Sequence, residues 1–143
     1  MSKILITGAS GLIGKYLTGL LEKDGHVVSA LSRTKRGSDK NNYRWDIAEN
    51  YIEPGAIEDK DVVIHLAGSG IADKRWTDNR KKEIIESRTL STRLLHDELK
   101  RRINHVKLII CASAIGYYGF DDIDHDFIET DRPGNDFLAN VVK

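Results

Sequence analysis

Short apolar runs alternate along the chain with longer stretches of helical periodicity. Lys3–Thr7 (KILIT) is apolar and β-branched, which predicts a buried strand. A glycine-rich turn, Gly8–Gly14, follows. Leu12, Ile13, Tyr16, Leu17, Leu20 and Leu21 then recur at helical spacing and predict a helix over Leu12–Asp24, with Gly25 as its stop. His26–Leu31 reads as a second strand, Ser32–Asn42 as a polar, basic loop and Tyr43–Asp46 as a short third strand. Pro54-Gly55 marks a turn or a brief helical start. Asp61–Ala67 (DVVIHLA) is a fourth strand, buried on both faces by its composition. Trp76–Ile103 carries the longest helical pattern, with Ile84, Ile85, Leu95, Leu99 and Ile103 inward. Val106–Ala112 is a fifth strand, Ser113–Asn135 a long polar loop, and Asp136–Lys143 the start of another helix.

This alternation predicts an α/β fold, a doubly wound parallel sheet with helices on both faces. Right-handed crossovers favour the order 3-2-1-4-5 in the numbering of these strands. A ligand crevice is then expected at the carboxyl ends of strands 1 and 4, where the order reverses.

Composition narrows the picture slightly. Residues 1–143 fit one domain, with 40% hydrophobic and 31% charged residues. A formal net charge of zero argues against nucleic acid or an anionic membrane as partner. A single cysteine, Cys111, excludes an internal disulfide and fits a reducing compartment; at the end of an apolar strand it is expected to be a buried, inert thiol. No apolar stretch approaches the roughly 20 residues that span a bilayer. Met1-Ser2-Lys3 leads straight into a strand without the succession of a signal peptide, and the expectation is a soluble, cytoplasmic protein.

The chemistry starts at Gly8-Ala-Ser-Gly11-Leu-Ile-Gly14, between a strand and a helix. Gly8 suits the tight turn out of the strand, Gly11 the close approach of a pyrophosphate, and Gly14 the packing of helix on sheet. The helix N-terminus, with Leu12 and Ile13, offers free N–H groups and a positive dipole end, and Ser10 can add a hydroxyl. The alternative is a tight turn that holds no ligand. An NAD site usually ends strand 2 with an acid for the ribose 2′-hydroxyl. Here Ser32-Arg33-Thr34 stands there, followed by Lys35 and Arg36. Arg33 can pair with a 2′-phosphate and Ser32 and Thr34 can donate to it, which points to NADP. The alternative is a solvated basic loop.

Thr7–Gly14 has the form Thr-Gly-x-x-Gly-x-x-Gly, and with His65-Leu66-Ala67-Gly68, Arg75-Trp76-Thr77, Ser87-Arg88, Ser113–Gly119 and Asp136–Ala139 it resembles the sugar-nucleotide-epimerase-like, atypical branch of the extended short-chain dehydrogenases/reductases. The resemblance implies a Rossmann-type nucleotide-binding domain. It implies that Asp46 bonds the adenine amine, although a turn or cap aspartate fits as well. It places Leu66, Ala67 and Gly68 beneath the adenine ribose and pyrophosphate, with Gly68 and Gly70 allowing close approach of backbone to cofactor. Arg88 falls where relatives often keep an active-site Asn; an exposed helix arginine is the alternative.

In that superfamily a Tyr four residues before a Lys transfers the proton, and a Ser after strand 5 positions the substrate oxygen. Ser113 fits the serine position, with Ala114 competing in another alignment. The Tyr-Lys pair is missing: its positions fall on Phe137 and Val141, and a phenyl ring transfers no proton. Lys143 lies about 240° round the helix from the tyrosine position. Tyr117 and Tyr118 are the nearest phenols, or else packing anchors. Asp122, Asp124 and Asp126 alternate like a calcium loop, but Phe127 and Pro133 occupy the required Gly and Glu positions, so no metal is expected. His65 reads as a satisfied core histidine, and Trp76 as a core or lid anchor.

The expected function is therefore an NADP-dependent oxidoreductase or epimerase-like enzyme for a small polar or nucleotide-sugar substrate. The rival is a non-catalytic NADP-binding regulator. The chain is expected to stop before a sixth strand and the substrate region. That would leave apolar surface uncovered beside the fifth strand and Phe137–Val142, a surface suited to a homodimer.

Overall fold

Alternation along the first strand sorts the core into two layers. β1 (Lys3–Thr7) sends Leu5 to one face of the sheet and Ile4 and Ile6 to the other. The computed structural model describes residues 1–34, 40–120 and 126–143. They form two units, Met1–Cys111 and Ala112–Lys143.

In the first unit β1 is followed by α1 (Leu12–Lys23), β2 (Val27–Ser32), β3 (Asn42–Asp46), β4 (Tyr51–Ile52), β5 (Val62–His65), α2 (Asp78–Arg101) and β6 (Leu108–Cys111). The sheet order is β4-β3-β2-β1-β5-β6, parallel except for β4. The five parallel strands keep the expected order. β4 is an addition, an antiparallel edge strand pairing Trp45 with Ile52 and Asp46 with Tyr51. The chain reverses through Asn50 at φ 47, a left-handed conformation that Asn tolerates.

Leu5, Leu31, Trp45, Ile52, Val63, Leu94 and Leu95 fill one layer, beneath α2. Ile4, Ile6, Val28 and Ile64 fill the other, with Leu17 and Leu21 of α1 against them. At about 100° per residue, Gly14, Leu17, Thr18 and Leu21 make one stripe of α1, and Leu12, Ile13, Tyr16 and Leu20 another on the outer side. The second stripe is exposed, from 43% at Leu20 to 91% at Leu12. Ile103, expected inward, is 92% exposed because α2 ends at Arg101. β6 is an edge strand exposed throughout, so Cys111 is exposed rather than buried. No helix among the described residues is long and apolar enough to cross a membrane.

The second unit holds a 3-10 turn at Ile115–Tyr118, not foreseen in the polar loop, and α3 (Phe137–Val142). Asp136 caps α3 by accepting from Ala139 N at 2.8 Å. Ala139 and Val141 are buried and Phe137, Leu138 and Val142 half-buried. Of the apolar surface expected to be uncovered beside the fifth strand and Phe137–Val142, Leu108, Ile109 and Ile110 of β6 are exposed, whereas the apolar residues of α3 are buried or half-buried.

Candidate functional site

The turn out of β1 needs two of its three glycines for its own sake. Gly8 sits at φ 70, and a Cβ on it would stand 2.9 Å from the Leu66 carbonyl carbon and 3.0 Å from Ala67 N. A Cβ on Gly14 would overlap Gly8 O and lie 2.7 Å from Ala9 Cα, so this glycine lets α1 press onto the turn. Gly11 is different. Its backbone is ordinary extended, φ −74 and ψ 176, and a Cβ would meet only Gly8 O at 3.3 Å. The turn itself asks far less of this position than of Gly8 or Gly14, since only that carbonyl would have to shift, by a few tenths of an ångström. Gly11 is also the N-cap of α1, without a side-chain cap and with no acid in the first turn. The dipole end and the Leu12 and Ile13 backbone are therefore left to solvent, with exposed Ser10 beside them.

Beneath the turn lies a closed polar network. Thr7 and His65 are ladder partners at the carboxyl ends of β1 and β5. Thr7 Oγ1 accepts from Leu66 N and Ala67 N, both at 3.1 Å, and stands 2.7 Å from His65 Nδ1. With its lone pairs occupied, Thr7 donates its proton to Nδ1. His65 Nε2 lies 3.1 Å from Ser91 Oγ, whose own proton goes to Ser87 O at 2.8 Å or Arg88 O at 3.0 Å. The imidazole is thus neutral, with Nε2 protonated, and burial holds its pKa below the ordinary 6.5. His65 is the satisfied core histidine expected.

The segment after β5 packs on the turn through Leu66 and Ala67. On the side where an L side chain would stand, Gly68 is occupied by the Arg88 guanidinium, 3.1 Å away at Cζ, and Gly70 by the Asp73 carboxylate. The absence of a side chain at these glycines thus makes room for neighbours within the chain. Arg88 is half-buried, and burial lowers its pKa from the usual guanidinium value. Its Nη1 donates to Ser69 O and Ile84 O, both at 3.1 Å. It is not the exposed helix arginine of the alternative reading. Trp76 donates from Nε1 to Ile71 O at 2.7 Å and so anchors the same loop.

After β2, Arg33 and Thr34 are exposed, and Arg33 has no ion-pair partner among the described residues. Ser32 is committed within the chain: its hydroxyl lies 2.8 Å from Thr34 O and 3.0 Å from Asn42 Oδ1. Lys35 and Arg36 lie outside the described residues. Asp46 Oδ1 accepts from Ala48 N at 3.1 Å and Glu49 N at 3.3 Å, the geometry of a turn aspartate, and Arg44 holds Oδ2 at 3.2 Å. A groove of about 270 Å³ adjoins this region, touching Ala9, Lys15, Ala30 and Asn41. A larger one, about 430 Å³, lies between the end of α2 and β6 and includes none of the turn's residues.

In the second unit, Ser113 is exposed. Tyr118 donates to Ile128 O at 3.0 Å and stacks on Phe127 at 4.6 Å, the behaviour of a loop anchor. Tyr117 meets Tyr118 edge-on at 5.2 Å. Phe137 and Val141 lie four residues apart on α3, so that helix offers neither phenol nor amine at the tyrosine and lysine positions. Asp126 is exposed; Asp122 and Asp124 lie outside the described residues.

A doubly wound parallel sheet with Thr-Gly-x-x-Gly-x-x-Gly at its first crossover defines a Rossmann-type protein of the extended short-chain dehydrogenase/reductase class. Within that class the chain belongs to the NAD dependent epimerase/dehydratase family, whose profile matches residues 4–138. It is 34% identical to the epimerase family protein YfhF of Bacillus subtilis, covering 97% of this chain and 46% of that protein. The human epimerase family protein SDR39U1, solved with NADPH, superposes with a TM-score of 0.82 at 27% identity, over 98% of this chain and 46% of that one. A nucleoside-diphosphate sugar epimerase from Corynebacterium glutamicum superposes at 0.78 with 33% identity, over 99% and 28%. The chain spans about half the length of the curated relatives it matches.

Proposed function

We propose that the chain binds a nicotinamide dinucleotide, with NADP preferred, and contributes the cofactor half of an oxidoreductase or epimerase-like enzyme for a small polar or nucleotide-sugar substrate. Gly11 carries this reading. The turn makes only a weak demand for glycine there, whereas a pyrophosphate laid across the end of α1 makes a strong one. Gly8, Ser10, Leu12, Ile13 and Gly14 complete the phosphate cradle, Arg33 and Thr34 face the 2′-phosphate, and Asp46, Leu66, Ala67 and Gly68 border the adenosine. The NADPH bound by the human relative supports the cofactor, and the Corynebacterium epimerase supports the substrate class. An exposed single thiol, Cys111, fits a reducing, cytoplasmic setting.

Gly11→Val tests the reading. Its side chain would fill the pyrophosphate space while circular dichroism stays that of the parent. Dinucleotide affinity undiminished in that variant would reduce the turn to a structural feature.

A second reading, a non-catalytic regulator responding to NADP occupancy, is favoured by Phe137 and Val141 at the tyrosine and lysine positions. Ser113, Tyr117 and Tyr118 are the groups left for catalysis. Hydride transfer from NADPH to keto-sugar nucleotides, or from sugar-nucleotide hydroxyls to NADP⁺, abolished by Tyr117→Phe, would select the enzyme; binding without turnover would select the regulator.

A further inference from the structure

α2 turns a polar stripe toward the loop after β5. At about 100° per residue, Arg80, Glu83, Ser87 and Ser91 fall on one face, with Arg88 at its edge. Every one of them reaches backbone or side chain of the β5 end or its loop. Ser87 Oγ accepts from Ser69 N at 3.0 Å and donates to Ile84 O at 2.8 Å. Glu83 Oε1 accepts from Ser69 Oγ at 3.2 Å. Arg88 Nη1 holds Ser69 O at 3.1 Å, and Arg80 Nη2 holds Gly70 O at 2.5 Å. Ser91 receives the His65 proton at 3.1 Å. Thr7 closes the series by taking Leu66 N and Ala67 N.

Arg80 adds a second observation. Its side chain is 8% exposed, Nη1 pairs with Glu83 at 2.7 Å, and yet the buried Nε has no hydrogen-bond partner among the described residues. A buried donor without an acceptor is unfavourable. The chain accepts that loss where it fixes a loop in place, which is common at functional sites.

We propose that Ser87, Arg88 and Arg80 are positioning residues that hold Leu66–Gly70 in its ligand-binding conformation before a dinucleotide arrives. The proposal rests on the dinucleotide reading above. It gives α2 a task its sequence otherwise hides: a polar stripe that looks solvated holds Ser69 and Gly70 and packs Arg88 on Gly68, the far end of a segment whose Leu66 and Ala67 abut Gly8. Preorganisation of this kind strengthens binding because less ordering remains when the ligand arrives. It also gives Arg88 a role through the loop, separate from contact with the cofactor.

The test combines amide hydrogen exchange on the ligand-free chain with NADPH titration by calorimetry, for the parent, Ser87→Ala, Arg88→Met, Arg88→Lys and Arg80→Lys. Arg88→Met and Ser87→Ala should speed exchange at Leu66–Gly70 about tenfold or more, leave Leu5 and Ala30 protected, and weaken NADPH about tenfold. Arg88→Lys retains a donor for Ser69 O and should recover most of both. Ser87→Ala removes only a hydroxyl and keeps the test valid if Arg88→Met does not fold. Unchanged exchange at Leu66–Gly70 would overturn the proposal. So would a loosened loop with parental NADPH affinity, since the clasp would then be structural only. A parent protein that binds no NADPH, with its loop nonetheless protected, would locate the failure in the dinucleotide reading and remove the proposal with it.

Discussion

Thr7→Val isolates the hydroxyl on which the site's foundation rests. Valine keeps the shape of threonine and its fully buried place in β1, and deletes one oxygen. Three contacts end there: Leu66 N, Ala67 N and His65 Nδ1. Leu66 N retains the Thr7 carbonyl at 3.2 Å, so two groups are stranded rather than three. A buried polar group deprived of its partner costs about 1–3 kcal/mol. Ala67 is half-buried and its amide can recruit water, which puts it at the low end; the pair together should cost about 2–4 kcal/mol. Thr7→Ser is the control, since it keeps the hydroxyl and loses one methyl for about 1 kcal/mol. Guanidinium denaturation followed by circular dichroism reads both, as a fall in midpoint at constant slope. If Thr7→Val were no less stable than Thr7→Ser, the hydroxyl would not be holding the β5 loop, and the network described here would be wrong.

Three further outcomes follow from the same geometry. His65 is held neutral, its folded pKa below the 6.5 of the unfolded chain, so below pH 6.5 the unfolded state binds the extra proton. Stability should fall as pH drops from 6.5 toward the folded pKa, by at most about 1.4 kcal/mol per pH unit, and His65→Gln should lack that component. Gly14→Ala should destabilise by about 1–3 kcal/mol through its overlap with Gly8 O and Ala9, whereas Gly11→Ala should stay within about 1 kcal/mol of the parent, as denaturation midpoints would show. β6 exposes Leu108, Ile109 and Ile110 on an edge strand, and we expect reversible dimerisation through it; sedimentation velocity should show Ile109→Lys shifting the chain to monomer.

Much of the fold was legible because apolar runs and glycine punctuation carry it. KILIT, DVVIHLA and VKLIICA mark three parallel strands, and Gly25 at φ 81 stops α1 where the sequence places the stop. β4 was missed because two residues make no periodic signal; Asn50, suited to a left-handed turn, was the available cue. Ile103 and Cys111 misled because periodicity states which residues are apolar, not whether a neighbour covers them. α1 shows the same limit, for six apolar residues at helical spacing divide into a half-buried pair, Leu17 and Leu21, and an exposed stripe. Within the site, the glycine turn was legible from its spacing. The arginine clasp was not, since Arg80, Ser87 and Arg88 in a sequence resemble any solvated helix face. Only the β5 loop folding back onto α2 gives them these partners, acceptors for Arg80 and Arg88 and a donor for Ser87.

The central claim is that the Gly8–Gly14 turn and the basic end of β2 form an NADP site. Calorimetric titration of the chain with NADP⁺ and with NAD⁺, repeated on Arg33→Ala, tests it most directly. The account predicts tighter binding of NADP⁺ and a loss of about 1.5–3 kcal/mol for NADP⁺ in Arg33→Ala, roughly ten- to a hundredfold in affinity, with NAD⁺ unaffected. Equal affinities for the two dinucleotides, or NADP⁺ binding unchanged in Arg33→Ala, would contradict it.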